Sequence, residues 1–169
     1  MFDKIFEFIF NVLDLFFVWK IVDEYEAGVV LRFGRYHRTV GPGRHWKWPL
    51  GIDNVLVDNV VPNTNVIPEQ VLTTKDDKKV VISAMVRWRI HDIRKILLEV
   101  EDAENVMADC AMGEIAQHVK HCTLQQLHDE DTSEPLYRAV RRRGWAWGIE
   151  IQELQITNFA ETKVLRLIQ

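Results

Sequence analysis

At 169 residues the chain is long enough for one domain of ordinary size, or for one domain plus an anchor. Its 47% hydrophobic and 27% charged residues exclude a disordered chain, and a formal net charge of −4 carries no general nucleic-acid footprint. Two cysteines, Cys110 and Cys122, exclude a disulfide framework; on one continuous helix they would sit ~18 Å apart, too far to bridge.

The first stretch, Met1 to Val22, is dense in apolar residues, and its polar residues share one side. At 100° per residue, Asp3, Glu7, Asn11 and Asp14 fall within an arc of roughly 80°, with Lys4 at its edge. Phe2, Ile5, Phe6, Phe8, Ile9, Phe10, Val12, Leu13, Leu15, Phe16, Phe17 and Trp19 fill the rest of the wheel. The spacing predicts an amphipathic helix. Acidic residues near the centre of a spanning helix cost ~2.5–3.5 kcal/mol each, against ~0.3–0.6 kcal/mol returned by each large apolar side chain. The stretch is therefore expected to lie in the membrane plane or to enter it shallowly, as a monotopic or re-entrant anchor. A helix packed on the protein's own core is the alternative. A secretory signal fits poorly, because there is no basic start and no small-residue cleavage site. The mostly acidic stripe departs from the cationic face of ordinary interfacial helices, so Asp3, Glu7 and Asp14 are expected to face a neighbouring protomer or headgroup water.

A strand pattern follows, in which Val29, Leu31 and Phe33 alternate with Val30, Arg32 and Gly34, and Gly34 and Arg35 read as a turn or bulge. Gly41–Pro42–Gly43 punctuates the chain. In the next segment Trp46 and Trp48 share one side of an extended stretch, with Arg44 and Lys47 beside them and Pro49–Leu50 at its end. Paired Trp among cations suits a membrane-interface loop; Trp covering a sheet edge is the competing reading. Strands are expected at Asn54–Val61, at Asn65–Leu72 (bent or at an edge because of Pro68) and at Val80–Ile90. Lys75–Asp76–Asp77–Lys78 forms a charged turn between the last two.

The second half changes period. Helices are expected over Asp92–Val100, over Ala103–Val119 and, after a turn at Thr123–Leu127, from Ser133 to about Trp145, with Ser133 as cap and Pro135 in the opening turn. A last strand, Ile149–Phe159, and a short amphipathic tail, Glu161–Gln169, close the chain. The fold class is α+β: a small, mostly antiparallel sheet, then helices, then a final strand.

The stretches EYEAGVVLRFGRYHRTVGPGRHWKWPL, VLTTKDDKKVVISAMVRWRIHD and RGWAWGIEIQELQITNF, in that order, resemble the SPFH or band 7 family of stomatins, prohibitins and flotillins. The resemblance spans Asp23 to Phe159 and is closest to the stomatin branch. It implies a domain over residues 23–159, flanked by an anchor over 1–22 and a short helical tail over 160–169. It further implies a membrane scaffold that self-assembles into rings or cages, often controls membrane proteases or channels, and has no catalytic residues. The loop after Gly43 would lie at the membrane surface. Its Trp-rich, cationic character departs from the more apolar stomatin loops and points to a shallower depth. Relatives continue into a long Ala/Glu-rich helix that does not follow Gln169, so the expectation is a laterally packed ring rather than a large closed cage.

His118 and His121 share a helix face near Cys122 and His128, but the spacing matches no zinc signature, and loosely placed surface histidines are the simpler reading. Ser83 has no nucleophile-elbow sequence, and Gly41–Pro42–Gly43 is not a phosphate loop. No metal, no cofactor, no enzymatic activity and no nucleic-acid partner are expected. Arg138, Arg141, Arg142 and Arg143 form a basic helical patch. It reads as a solvated helix end, as a partner for the acidic Glu99–Glu101–Asp102–Glu104 surface of a neighbouring protomer, or as a contact for nucleic acid or phospholipid headgroups. Glu101, Glu104, Arg138, Arg141 and Arg142 are thus the contact candidates within the domain. The expected function is a membrane-anchored homo-oligomeric scaffold, with a regulatory adaptor of a membrane protease or channel as the alternative.

Overall fold

The structure is a computed structural model that describes residues 19–128 and 133–162. The expected anchor residues Phe2 to Phe17, the stripe residues Asp3, Glu7 and Asp14, the capping side chain of Ser133 and the helical tail from Lys163 lie outside the described residues. The chain divides into two compact units, one running to Val61 and including Ile93–Glu101, the other comprising Pro62–Asp92 and the residues from Asp102 onward.

In the first unit, β1 (Trp19–Val22) pairs antiparallel with β4 (Gly43–Trp46), setting Trp19 opposite Trp46. The helix expected to reach Val22 therefore does not include these four residues. Trp, Ile and Val suit a strand as well as an apolar helix face, and the pairing with β4 settles the choice. A second sheet has the order β3 (Arg35–Val40), β2 (Glu26–Arg32), β5 (Asp53–Asn59), all antiparallel. Val29 and Val30 are both fully buried, so the central strand β2 is covered on both faces and the expected alternation breaks there. Val22, Val30 and Val40 form a core cluster, with Val55 and Val57 against it. Gly28 is a steric requirement: a Cβ there would sit 2.2 Å from the Leu56 carbonyl oxygen. The helix α1 (Ile93–Glu99) buries Ile93 and Ile96.

The second unit is an antiparallel sheet ordered β6 (Asn63–Thr73), β7 (Lys79–Ile90), β8 (Ile149–Glu161). In β7, Val80, Ile82, Ala84, Val86, Trp88 and Ile90 are buried, as the period of two predicts. The register of β6 shifts between Ile67 and Gln70, around Pro68, and β6 lies at the sheet edge, where a missing N–H is tolerated. Against this sheet pack α2 (Ala103–His121), through Met107, Ala111, Ile115 and Val119, and α4 (Ser133–Ala146), through Leu136 and Val140; the short α3 (Leu124–His128) connects them. Asp102 caps α2, its carboxylate accepting from the backbone N–H groups of Glu104 and Asn105 at 3.0 and 3.1 Å. The fold is α+β, with three small antiparallel sheets among the described residues where the sequence suggested one.

Candidate functional site

The geometry of the first unit is fixed by a buried carboxylate. Asp53 opens β5 directly opposite Arg32, the last residue of β2, and its side chain is 1% exposed. It accepts both arms of the Arg32 guanidinium, from Nε at 2.8 Å and Nη2 at 3.1 Å, and the backbone N–H of Trp48 at 3.1 Å. The Arg32 hydrogen bond is the main reason the Asp53 carboxyl titrates at about 2 instead of 3.8; the Trp48 N–H adds to the effect and burial opposes it. One acid thus ties together the end of β2, the start of β5 and the loop leading to it.

Two turns project beyond this clamp. The β2–β3 hairpin turns at Phe33–Gly34, with φ of 49° and 75°. The turn Pro49–Ile52 has Leu50 and Gly51 at its centre, with φ of 62° and 75°, and is closed by Ile52 N–H donating to the Pro49 carbonyl at 3.4 Å. Phe33 N–H donates to the Ile52 carbonyl at 2.8 Å, which joins the two turns side by side. Positive φ at both central positions marks type I′ geometry, where Asn, Asp or Gly is preferred first. Here those positions hold Phe and Leu, at a cost of roughly 1–2 kcal/mol each. Neither side chain recovers that cost by burial, since Phe33 is 77% and Leu50 63% exposed, with Trp48 at 50% beside them.

The sequence-expected loop residues divide accordingly. Trp46 ends β4 and packs edge-to-face on Trp19, with centroids 5.1 Å apart, while Trp48 lies beyond the strand; both are about half exposed. Trp19, expected on the anchoring helix, instead belongs to this sheet, with the Arg44 guanidinium 4.4 Å above its ring. Arg38 donates to the Trp46 carbonyl at 2.8 Å. Arg44 is exposed; Lys47 and Pro49 are half-buried. Between Glu26 and Asp53 the sequence contains Arg32, Arg35, Arg38, Arg44 and Lys47 and no acidic residue. Phe33 was missed by sequence reasoning because it continues the Val29, Leu31 alternation. The usable signal was Phe-Gly between two arginines, an X-Gly hairpin turn.

The other candidates are spread over both units. Glu101 is exposed in the first. In the second, Glu104 accepts from the Asn65 amide, and Arg138 pairs with Glu134 one turn earlier at 2.9 Å. Arg141 and Arg142 are exposed; with Arg138 and Trp145 they line an open cavity of about 330 Å³, and Trp145 stacks on His91 at 3.8 Å. Arg143 departs from the patch to bind Glu114 at 2.6 Å.

His118 Nε2 lies 3.7 Å from Cys122 Sγ, and among the described residues no group of three or more His, Cys, Asp or Glu could hold a metal ion. Burial raises the thiol pKa of both Cys110 and Cys122, which disfavours the reactive thiolate. The Ser83 hydroxyl is buried and bonded to that of Thr157 at 2.9 Å. No described helix is long and apolar enough to cross a membrane.

These features define an α+β domain with a strained apolar tip set among cations. Residues 20–166 match the SPFH domain / Band 7 family, and the chain belongs to that family. It is 30% identical over 153 residues to an uncharacterized protein of Methanocaldococcus jannaschii, covering 88% of this chain and 76% of that one. A stomatin homolog of Pyrococcus horikoshii is 32% identical over 144 residues, covering 81% of this chain and 52% of its own length. Protein HflK of Haemophilus influenzae is 35% identical over 101 residues, or 58% of this chain and 24% of that protein. The chain therefore spans about half of the stomatin homolog and about a quarter of HflK.

Proposed function

We propose that the protein is a membrane-anchored homo-oligomeric scaffold, attached through its N-terminal segment and through the loop from Arg44 to Leu50, and assembled laterally into a ring that organises the surrounding membrane. The observation that carries this reading is the exposure of Trp46, Trp48 and Leu50 in a stretch free of acidic residues. Amphipathic indoles beside cations suit the headgroup layer. Membership of the SPFH family, with its membrane-associated scaffolds, supports the same reading. Identical head-to-tail contacts close naturally into rings, and many modest apolar anchors on one assembly give strong collective attachment. Arg138, Arg141 and Arg142 on one protomer and Glu101 and Glu104 on the next are the contacts this arrangement would use. Replacing Trp46, Trp48 and Leu50 together by Ser is expected to lower vesicle affinity at least tenfold, on the order of the apolar transfer energy removed. Undiminished binding with the fold intact would exclude the loop as a membrane contact.

A further inference from the structure

We propose that the Phe33–Gly34 hairpin tip is a second membrane-inserting prong beside Leu50–Gly51, and that the cations around the two tips select a bilayer with anionic headgroups. The inference rests on the membrane-loop reading above and adds a residue and a lipid class to it.

Three independent observations converge. The first is conformational. Both turns place a bulky apolar residue at a positive-φ position that Asn would occupy with less strain, and both leave it in solvent. Local strain without a packing benefit inside the protein marks a position held for what it contacts outside. The second is mechanical. Phe33 N–H bonds the Ile52 carbonyl, Arg32 and Trp48 N–H share Asp53, and Arg38 holds the Trp46 carbonyl. Phe33, Trp48 and Leu50 are thereby presented from one braced end of the β3–β2–β5 sheet, at little further ordering cost on binding. The third is electrostatic. The two turns and their flanking strands carry Arg35, Arg38, Arg44 and Lys47, all at least partly exposed, and no acid between Glu26 and Asp53. In a chain of net charge −4 this local excess is opposite in sign to the whole, so it complements an anionic surface. The acidic residues Asp3, Glu7 and Asp14 near the N-terminus could not supply that attraction.

The test uses the full chain and vesicles of phosphatidylcholine with and without phosphatidylserine. Phe33→Asn creates Asn-Gly, the favoured type I′ pair, so its thermal midpoint is expected to match or exceed that of the parent protein. Its affinity for phosphatidylserine vesicles is expected to fall about tenfold, the loss of one inserted aromatic. The parent protein is expected to prefer phosphatidylserine vesicles and to lose that preference in high salt. Trp48→Ser reports separately on the loop. If Trp48→Ser weakens binding and Phe33→Asn does not, the hairpin prong is wrong and the loop reading stands. Unchanged binding in both variants overturns both. Equal affinity of the parent protein for the two vesicle types overturns the anionic selectivity.

Discussion

Asp53 is the residue on which the tip depends. Its carboxylate satisfies a guanidinium and a backbone N–H at once, so Asp53→Asn keeps the shape but removes the charge that both donors address. The expected loss is about 2 kcal/mol in denaturant unfolding, the scale of hydrogen bonds to a charged group. The pH dependence has a defined sign. The folded carboxyl titrates at about 2, below its ordinary 3.8, so its contribution is complete above about pH 4 and disappears as pH falls through 2. The unfolding midpoint of the parent protein should thus drop more steeply between these values than that of Asp53→Asn; equal slopes would show that the ion pair adds nothing. Phe33 makes the complementary point. Its exposure was masked in the sequence because a turn residue next to a strand keeps the strand's alternation, so that the Gly34 that follows it was the one local cue.

At the scale of elements, legibility followed how local the decision was. Val80–Ile90 was readable because its alternating partners lie within one strand, and the structure buries the expected set. The helix expected over Ala103–Val119 was readable from spacing; it runs over Ala103–His121, and its start is explained by Asp102. Asp102→Ala should cost about 1 kcal/mol, with thermal unfolding as the readout, since two orphan N–H groups lose their acceptor. A midpoint unchanged from the parent protein would mean that water replaces the cap. Trp19–Val22 was misread because nothing within those four residues distinguishes a helix end from a strand; the choice is made by Gly43–Trp46, more than twenty residues away. The same non-local pairing explains why three sheets were anticipated as one. Of the candidate site, the Trp46–Leu50 loop was visible as composition, whereas the Arg32–Asp53 clamp and the joining of two turns were not, because each needs residues brought together across the sheet.

For the whole molecule, the proposed ring would make membrane attachment durable by repetition. One protomer presents a few apolar side chains at its tip, each worth on the order of 1.5–3 kcal/mol when buried and less when only shallowly inserted. Repeating that tip around an assembly multiplies the attachment without any new contact, provided the copies engage the surface together. The most direct measurement is the mass and shape of the particle extracted from membranes in mild detergent. A large, uniform ring is predicted. A monomer or small oligomer would contradict the account and leave a regulatory adaptor of a membrane protease or channel as the better description.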